Sequence, residues 1–200
     1  MRTVQIIGKG PTRMPSQARC GVERWGCNDL NFAVKTWGWR FDAWDRWFDR
    51  HTQGHILKHR PVSWGWYATR GDERPIYLLQ HYPEIPASVP YPAERIQAHF
   101  GWDGHGEELF TSSLDWMLAL ALYERFQRIE IYGCDLWDAP HERGRQRVGA
   151  HFWIGRALGA GIDVHLPDES SLCKNERLYG CFTLTSPRNF QSVSLERFLA

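Results

Sequence analysis

The apolar positions of this chain follow two alternating periods. TVQII at 3–7 is a short run of strand formers, and VERWGC at 22–27 predicts a second strand ending at Asn28. WDRWFDR at 44–50 alternates weakly and gives a third, and PIYLLQ at 75–80 a fourth. The proline-rich piece 83–92 predicts a loop, followed by a short helix over 93–99. Helical period is clearest in TSSLDWMLALALYERF, where Leu114, Met117, Leu118, Ala121 and Leu122 recur at i, i+3, i+4, i+7 and i+8. Thr111 or Ser112 can cap that helix. RIEIYG at 128–133 is the next strand, a polar loop leads to a helix near 149–159, and a last strand lies in 161–166. Strand and helix alternating in this way predict an α/β fold: one Rossmann-like domain over residues 1–200, with a mainly parallel sheet covered by helices. HFGWDGHGEE at 99–108 extends the loop character, so that 83–110 is the candidate lid.

Composition narrows the class. The 24 basic and 23 acidic residues nearly cancel, so no global field advertises a nucleic acid or a membrane. No apolar run is long enough to span a bilayer and no leader pattern opens the chain, which gives the expectation of a cytoplasmic protein. Five cysteines without a C-x-x-C are expected to be reduced and mostly buried. Eleven tryptophans are unusual for 200 residues. Most are expected in the core, some could stack on a base or sugar, and a tryptophan-rich surface would favour homo-oligomers.

Ligands of parallel sheets bind beyond the carboxyl ends of the strands. Three such ends carry small or polar residues here: Gly8-Lys9-Gly10-Pro11-Thr12, Cys27-Asn28-Asp29 and Gly133-Cys134-Asp135. Glycine allows close approach, and the N–H groups that follow can cradle a phosphate. Yet GKGPTR has Arg13 where a dinucleotide fingerprint has its third glycine, and it is no P-loop. A tight turn without a ligand reads the motif equally well.

The ordered set IIGKGPT, GCNDLNF, FTSSLDWMLALAL, IEIYGCDLW, HFWIG and IDVHLPDESSL resembles the bacterial sialyltransferases that use CMP-sialic acid. It is similar as well to the wider group of motility accessory factors and hydroxymethylpterin diphosphokinases, and to proteins of tailed phages. The resemblance implies a glycosyltransferase-A-like variant of the fold. It implies a donor turn at Gly8, Lys9, Gly10, Pro11 and Thr12, with Asn28 and Asp29 on the ribose or phosphate. Thr111, Ser112 and Ser113 would meet the nucleotide, and Gly133 and Asp135 would line its pocket. His151 matches the family's general base, a role that suits histidine chemically. The family's tyrosines after the G-I-D strand are missing, and Trp137, His141, Arg143, Arg145 and Arg147 occupy that loop. Arginine suits a leaving phosphate, which makes Arg145 or Arg147 its candidate stabiliser; a solvated basic loop is the alternative.

His51, His55 and His59 are spaced as one helical face, but Gly54 weakens a helix there and no further ligand completes a metal site, so none is assigned. His51 could instead face the crevice. Of Asp42, Asp45 and Asp49, none forms a D-x-D; Asp45 is the best functional candidate, and Asp45 and Asp49 otherwise read as surface or supporting acids. Three functions follow. The first is a glycosyltransferase with a CMP- or UDP-linked sugar donor, needing no metal, whose acceptor hydroxyl could belong to a hydroxymethylated base of phage DNA inside a host bacterium. The second is an Mg²⁺- and ATP-dependent diphosphokinase on a small hydroxymethyl heterocycle, relying on Asp45 and Asp135. The third is a non-catalytic module for a nucleotide or nucleic acid.

Overall fold

Five consecutive residues of β1 (Thr3–Ile7) are buried, with no alternation between faces. Such a strand must be covered on both sides and paired on both edges, as in a parallel sheet between helical layers. In the computed structural model, which describes residues 1–13, 16–30, 44–70, 74–100, 109–136 and 142–173, β1 lies between β2 (Val22–Cys27) and β6 (Arg128–Tyr132). Ile7 pairs with Gly26 on one side and with Tyr132 on the other, so Gly8, Cys27 and Gly133 stand level. Outward from β2 follow β3 (Arg46–Phe48), β4 (Ile76–Leu78) and β5 (Ser88–Pro90), and β7 (Asp163–His165) lies outside β6. Every ladder between these seven strands is parallel. The predicted α/β, Rossmann-like architecture is thus the observed one.

Helices α1 (Gln53–His59) and α2 (Pro61–Ala68) follow β3, α3 (Ala93–His99) and α4 (Ser113–Tyr123) lie between β5 and β6, and α5 (Glu142–Gly159) links β6 to β7. One core layer joins Val4, Ile6 and Trp25 of the sheet to Leu114, Met117 and Leu118 of α4 and to Trp153 and Ile154 of α5. The other gathers Ile7, Trp47 and Ile76 against Ile56 of α1 and Tyr67 of α2. Among the described tryptophans, Trp25, Trp44, Trp47, Trp64 and Trp153 are buried core residues, as expected. Trp66 and Trp116 are half-buried. Trp37 and Trp39 lie outside the described residues. Cys20, Cys27, Cys134 and Cys173 are free thiols. No helix among the described residues is long and apolar enough to cross a membrane.

Three local expectations need correction. The proline-rich loop contains β5, at the sheet edge. Ala87 and Tyr91 face β4, through Ile76 N–H to Ala87 C=O at 2.9 Å and Tyr91 N–H to Leu78 C=O at 2.9 Å. The intervening Pro90 is therefore at a position whose missing N–H would face solvent, where an edge strand tolerates proline. The helix expected near 149–159 begins at Glu142, which places Arg145 and Arg147 on its first turns and not in a loop. Glu, Arg and Gln are good helix formers without apolar residues to reveal the period. Finally, α1 does form. Thr52 caps it by accepting the His55 N–H at 3.2 Å, and Gly54 falls in the first turn.

A buried polar network crosses the central strands. The Glu130 carboxylate, 1 % exposed, accepts from Gln5 Nε2 at 3.0 Å, Arg128 Nε at 2.8 Å, the Tyr132 hydroxyl at 3.2 Å and Arg19. Burial opposes its charge, but the hydrogen bonds from Arg19, Gln5 and Arg128 win and hold its pKa down to about 2. A folded pKa below the unfolded 4.5 means stability present above pH 4.5 and lost as pH falls toward 2. Glu130→Gln is expected to lose about 2 kcal/mol at pH 7, given the worth of charge-assisted hydrogen bonds. Urea titrations of both proteins at several pH values check this, and the gap should narrow in that acid window.

Candidate functional site

The chain leaves β1 toward β2 on one side and reaches β6 on the other only 121 residues later, so the strand order reverses beside β1. In such sheets ligands usually bind at the carboxyl edge beside that reversal. The floor of this edge is made by backbone touching backbone. Gly8 N–H donates to Tyr132 C=O at 2.8 Å and Gly10 N–H to Gly133 C=O at 2.7 Å. A Cβ on Gly8 would strike the Gly133 carbonyl, and one on Gly10 would strike the Asp135 carboxylate. Gly133 itself has φ 65°, open to glycine at little cost. The two glycines of GKGPT therefore let the ends of β1 and β6 meet.

Thr12 fastens this floor. Its hydroxyl donates to Asp135 Oδ1 at 2.8 Å and accepts from Gly133 N–H at 3.1 Å. Pro11 opens the 3₁₀ turn Pro11–Arg13 that carries Thr12. Arg13 folds back onto the carbonyls of Lys9 and Gly10. At the end of β2, Asn28 adopts φ 54°, a conformation asparagine tolerates. Its carbonyl accepts from Trp47 Nε1 and from the Tyr67 hydroxyl, each at 3.0 Å, and its side-chain Oδ1 accepts from the Ser113 hydroxyl at 3.2 Å. Asn28 thus joins the second strand end to the start of α4. Ser112 is the helix cap, completed as a capping box with Asp115. One oxygen of Asp115 takes the N–H groups of Thr111 and Ser112, each at 2.8 Å, and the Thr111 hydroxyl at 2.9 Å. Burial lifts this carboxyl to about 6 against those bonds.

Helix α5 brings in the remaining candidates. The Thr111 hydroxyl donates to the Arg145 carbonyl at 3.1 Å, although the Arg145 side chain itself is exposed. Residues 170–173 bridge α5 to the end of β6. The Ser171 hydroxyl donates to Asp135 C=O at 2.7 Å, Arg147 Nη2 donates to Ser171 C=O at 3.3 Å, and Cys173 N–H donates to His151 Nε2 at 3.3 Å. Burial first, and the Arg147 charge second, lower the His151 pKa below the ordinary 6.5. The ring is accordingly neutral at pH 7, with a lone pair on Nε2.

A charged chain borders the edge on its β3 side. Lys9 pairs with Asp29 at 2.7 Å, Asp29 with Arg60 at 3.9 Å, and Arg60 with Asp49 at 3.1 Å. Asp49, read as a surface or supporting acid, is wholly buried. It also accepts the Tyr67 hydroxyl at 2.8 Å and lies 2.7 Å from His51 Nδ1. Despite burial, the His51 bond and the Arg60 charge hold it below the usual carboxylate range. His51 thus faces Asp49, and its ring begins a stack with His55 and His59, 4.6 Å apart at each step. Among the described residues no group of three or more His, Cys, Asp or Glu side chains is arranged to hold a metal ion.

Not every candidate joins the edge. Asp45 precedes β3 at the amino edge of the sheet, where it is exposed and accepts the Arg24 N–H at 2.7 Å. Because all strands are parallel, Asp45 and Asp135 stand at opposite edges, and no single ion could use both. Trp137 and His141 lie outside the described residues, as does 101–108 of the expected lid. Sequence reasoning read Asp49 only as a surface or supporting acid, and it missed Arg60, Tyr67 and Arg50, the residue that follows Asp49. The WDRWFDR run was the signal for Asp49 and Arg50, and nothing in it marks Arg60 or Tyr67.

The class defined by this geometry is a parallel α/β domain with a cluster of polar groups at its topological switch point. No protein-family model matches the chain, and no curated protein does. Among solved structures it is similar to the sialyltransferase CstII from Campylobacter jejuni, determined in complex with a substrate analogue, cytidine-5'-monophosphate. That similarity has 14% identity and a TM-score of 0.49, covering 88% of this chain and 81% of that one.

Proposed function

We propose that the protein is a glycosyltransferase-type enzyme that holds a nucleotide-linked sugar, CMP or UDP in kind, at the carboxyl edge between β1, β2, β6 and the start of α4. The observation that carries this reading is the assembly of the motif residues at the switch point. Thr12 binds Asp135, Asn28 binds Ser113, and residues 170–173 tie Asp135 to Arg147 and His151. In this reading Lys9 and the hydroxyls of the α4 start face the donor, and His151 takes the proton of the acceptor hydroxyl as the glycosidic bond forms. Its neutral Nε2 suits a base, and the 3.3 Å contact from Cys173 N–H is long enough for an acceptor hydroxyl to replace it. Arg147 stands beside it and offsets charge on the departing phosphate.

A thermal-shift series with CMP, UDP, GDP, ADP and ATP, with and without Mg²⁺, tests the donor edge. A selective, metal-independent shift with CMP or UDP supports the reading. Silence, or a response to ATP only with Mg²⁺, overturns it. With a donor in hand, His151→Asn is expected to keep nucleotide binding and lose about 10²- to 10⁴-fold in turnover. The wild-type rate should rise with pH and level off at a pKa below 6.5. Unchanged turnover in the variant would remove His151 from the chemistry.

A further inference from the structure

Arg50 follows Asp49 at the carboxyl end of β3, on the sheet face that carries Phe48. Its guanidinium lies 4.3 Å from the Trp116 ring centre and 5.0 Å from that of Tyr91. The rings are themselves fixed: the Tyr91 hydroxyl donates to Trp116 C=O at 2.6 Å, and Phe110 stacks on Trp116 at 3.8 Å. Among the described residues no carboxylate or carbonyl accepts from any Arg50 nitrogen, and its Nε is buried without a partner. The other arginines at this edge are engaged: Arg13 by carbonyls, Arg60 by Asp49, and Arg147 by Ser171. A half-buried cation is costly to leave unpaired, and aromatic faces offset only part of that cost. A planar fork of donors is matched best by a two-oxygen anion. The corner holds further polar groups, hydrogen-bonded to their neighbours. Asn28 N–H binds Phe48 C=O at 2.8 Å, and Ser113, one turn before Trp116, binds Asn28.

We propose that Arg50 anchors an oxyanion subsite at this corner, where a ligand carboxylate or phosphate accepts two N–H bonds from the ring-held guanidinium. As a part of the donor or acceptor site, the subsite rests on the function proposed above, and its ligand would carry an acidic sugar or a phosphate there. Binding of the anion itself is independent of that reading.

The test is an ¹⁵N NMR titration of the arginine Nε–H signals in the full-length protein with inorganic phosphate, with glucuronate and with glucose. Arg50→Met, which keeps an apolar stem between the rings, assigns the Arg50 signal by its disappearance, and Arg50→Lys is the conservative variant. The expected result is a saturable shift with phosphate, glucuronate or both, and none with glucose. Arg50→Met should weaken that binding about tenfold or more, and Arg50→Lys less. A response to phosphate alone identifies a phosphate as the source, and one to glucuronate alone a sugar acid. No saturable shift in the wild type, or equal affinity in Arg50→Met, overturns the subsite. An anion response without any nucleotide binding leaves the subsite standing and removes the proposed donor. Equal CMP and anion affinity in wild type and Arg50→Met does the reverse.

Discussion

Gly8→Ala is expected to destabilise the protein by about 3 kcal/mol, the upper end of what overpacking costs. The new methyl group would meet the Gly133 carbonyl and would lie 2.7 Å from Cys134 Sγ. A flexible side chain could turn away, but a backbone carbonyl at the end of a fully paired strand cannot. Gly133→Ala approaches the same contact from the other side, 2.5 Å from the Gly8 carbonyl, and adds the cost of a left-handed φ. Gly21→Ala is the control: it has φ 73° with nothing within 4 Å, and it should lose only about 1 kcal/mol. For a chain of this length the Gly8 substitution corresponds to a fall of about 10 °C in Tm, readable by calorimetry. A fall no larger than that of Gly21→Ala would mean that the strand ends are free to part.

Asp49→Leu is expected to cost about 3 to 5 kcal/mol, because it strands Arg60, the Tyr67 hydroxyl and His51 around an apolar group. Asp49→Asn keeps the shape and removes the charge, so it should lose less. The pH dependence separates charge from packing. The folded pKa of Asp49 lies below the unfolded 3.8, so its contribution is present above pH 3.8 and disappears as the pH falls below that value. Denaturant titrations should therefore give a gap between wild type and Asp49→Asn that narrows as the pH falls below 3.8. A gap independent of pH would assign the loss to shape alone.

The legible parts of the fold were those whose burial leaves a periodic trace. β1 and β6, nearly all buried, read as short runs rich in isoleucine and other strand formers, and α4 shows its stripe. β5 was hidden because proline counts against a strand unless the strand is known to be an edge, which is a tertiary fact. The first half of α5 was hidden because its arginines and glutamine carry propensity without period. In the site, the motif residues Gly8 to Thr12, Asn28, Ser113, Asp135 and His151 did converge. What they do there was only partly readable: spacing gave no sign that Thr12 and Asp135 bind each other, or that Cys173 N–H meets His151. Asp49 and Arg50 directly follow a three-residue strand, among tryptophans and charges. Alternation too short to trust decides there which side chain turns toward Tyr67 and which toward Trp116.

The position of β1 between β2 and β6 has a consequence for synthesis on the ribosome. β2 begins at Val22, soon after β1 ends at Ile7, whereas β6 begins only at Arg128, and no hairpin can substitute for it because every strand ladder is parallel. At ordinary elongation rates the wait is on the order of ten seconds, during which one side of the central strand has no native neighbour. The nascent chain is then at its most aggregation-prone, and dependence on chaperones during translation should be concentrated in that interval.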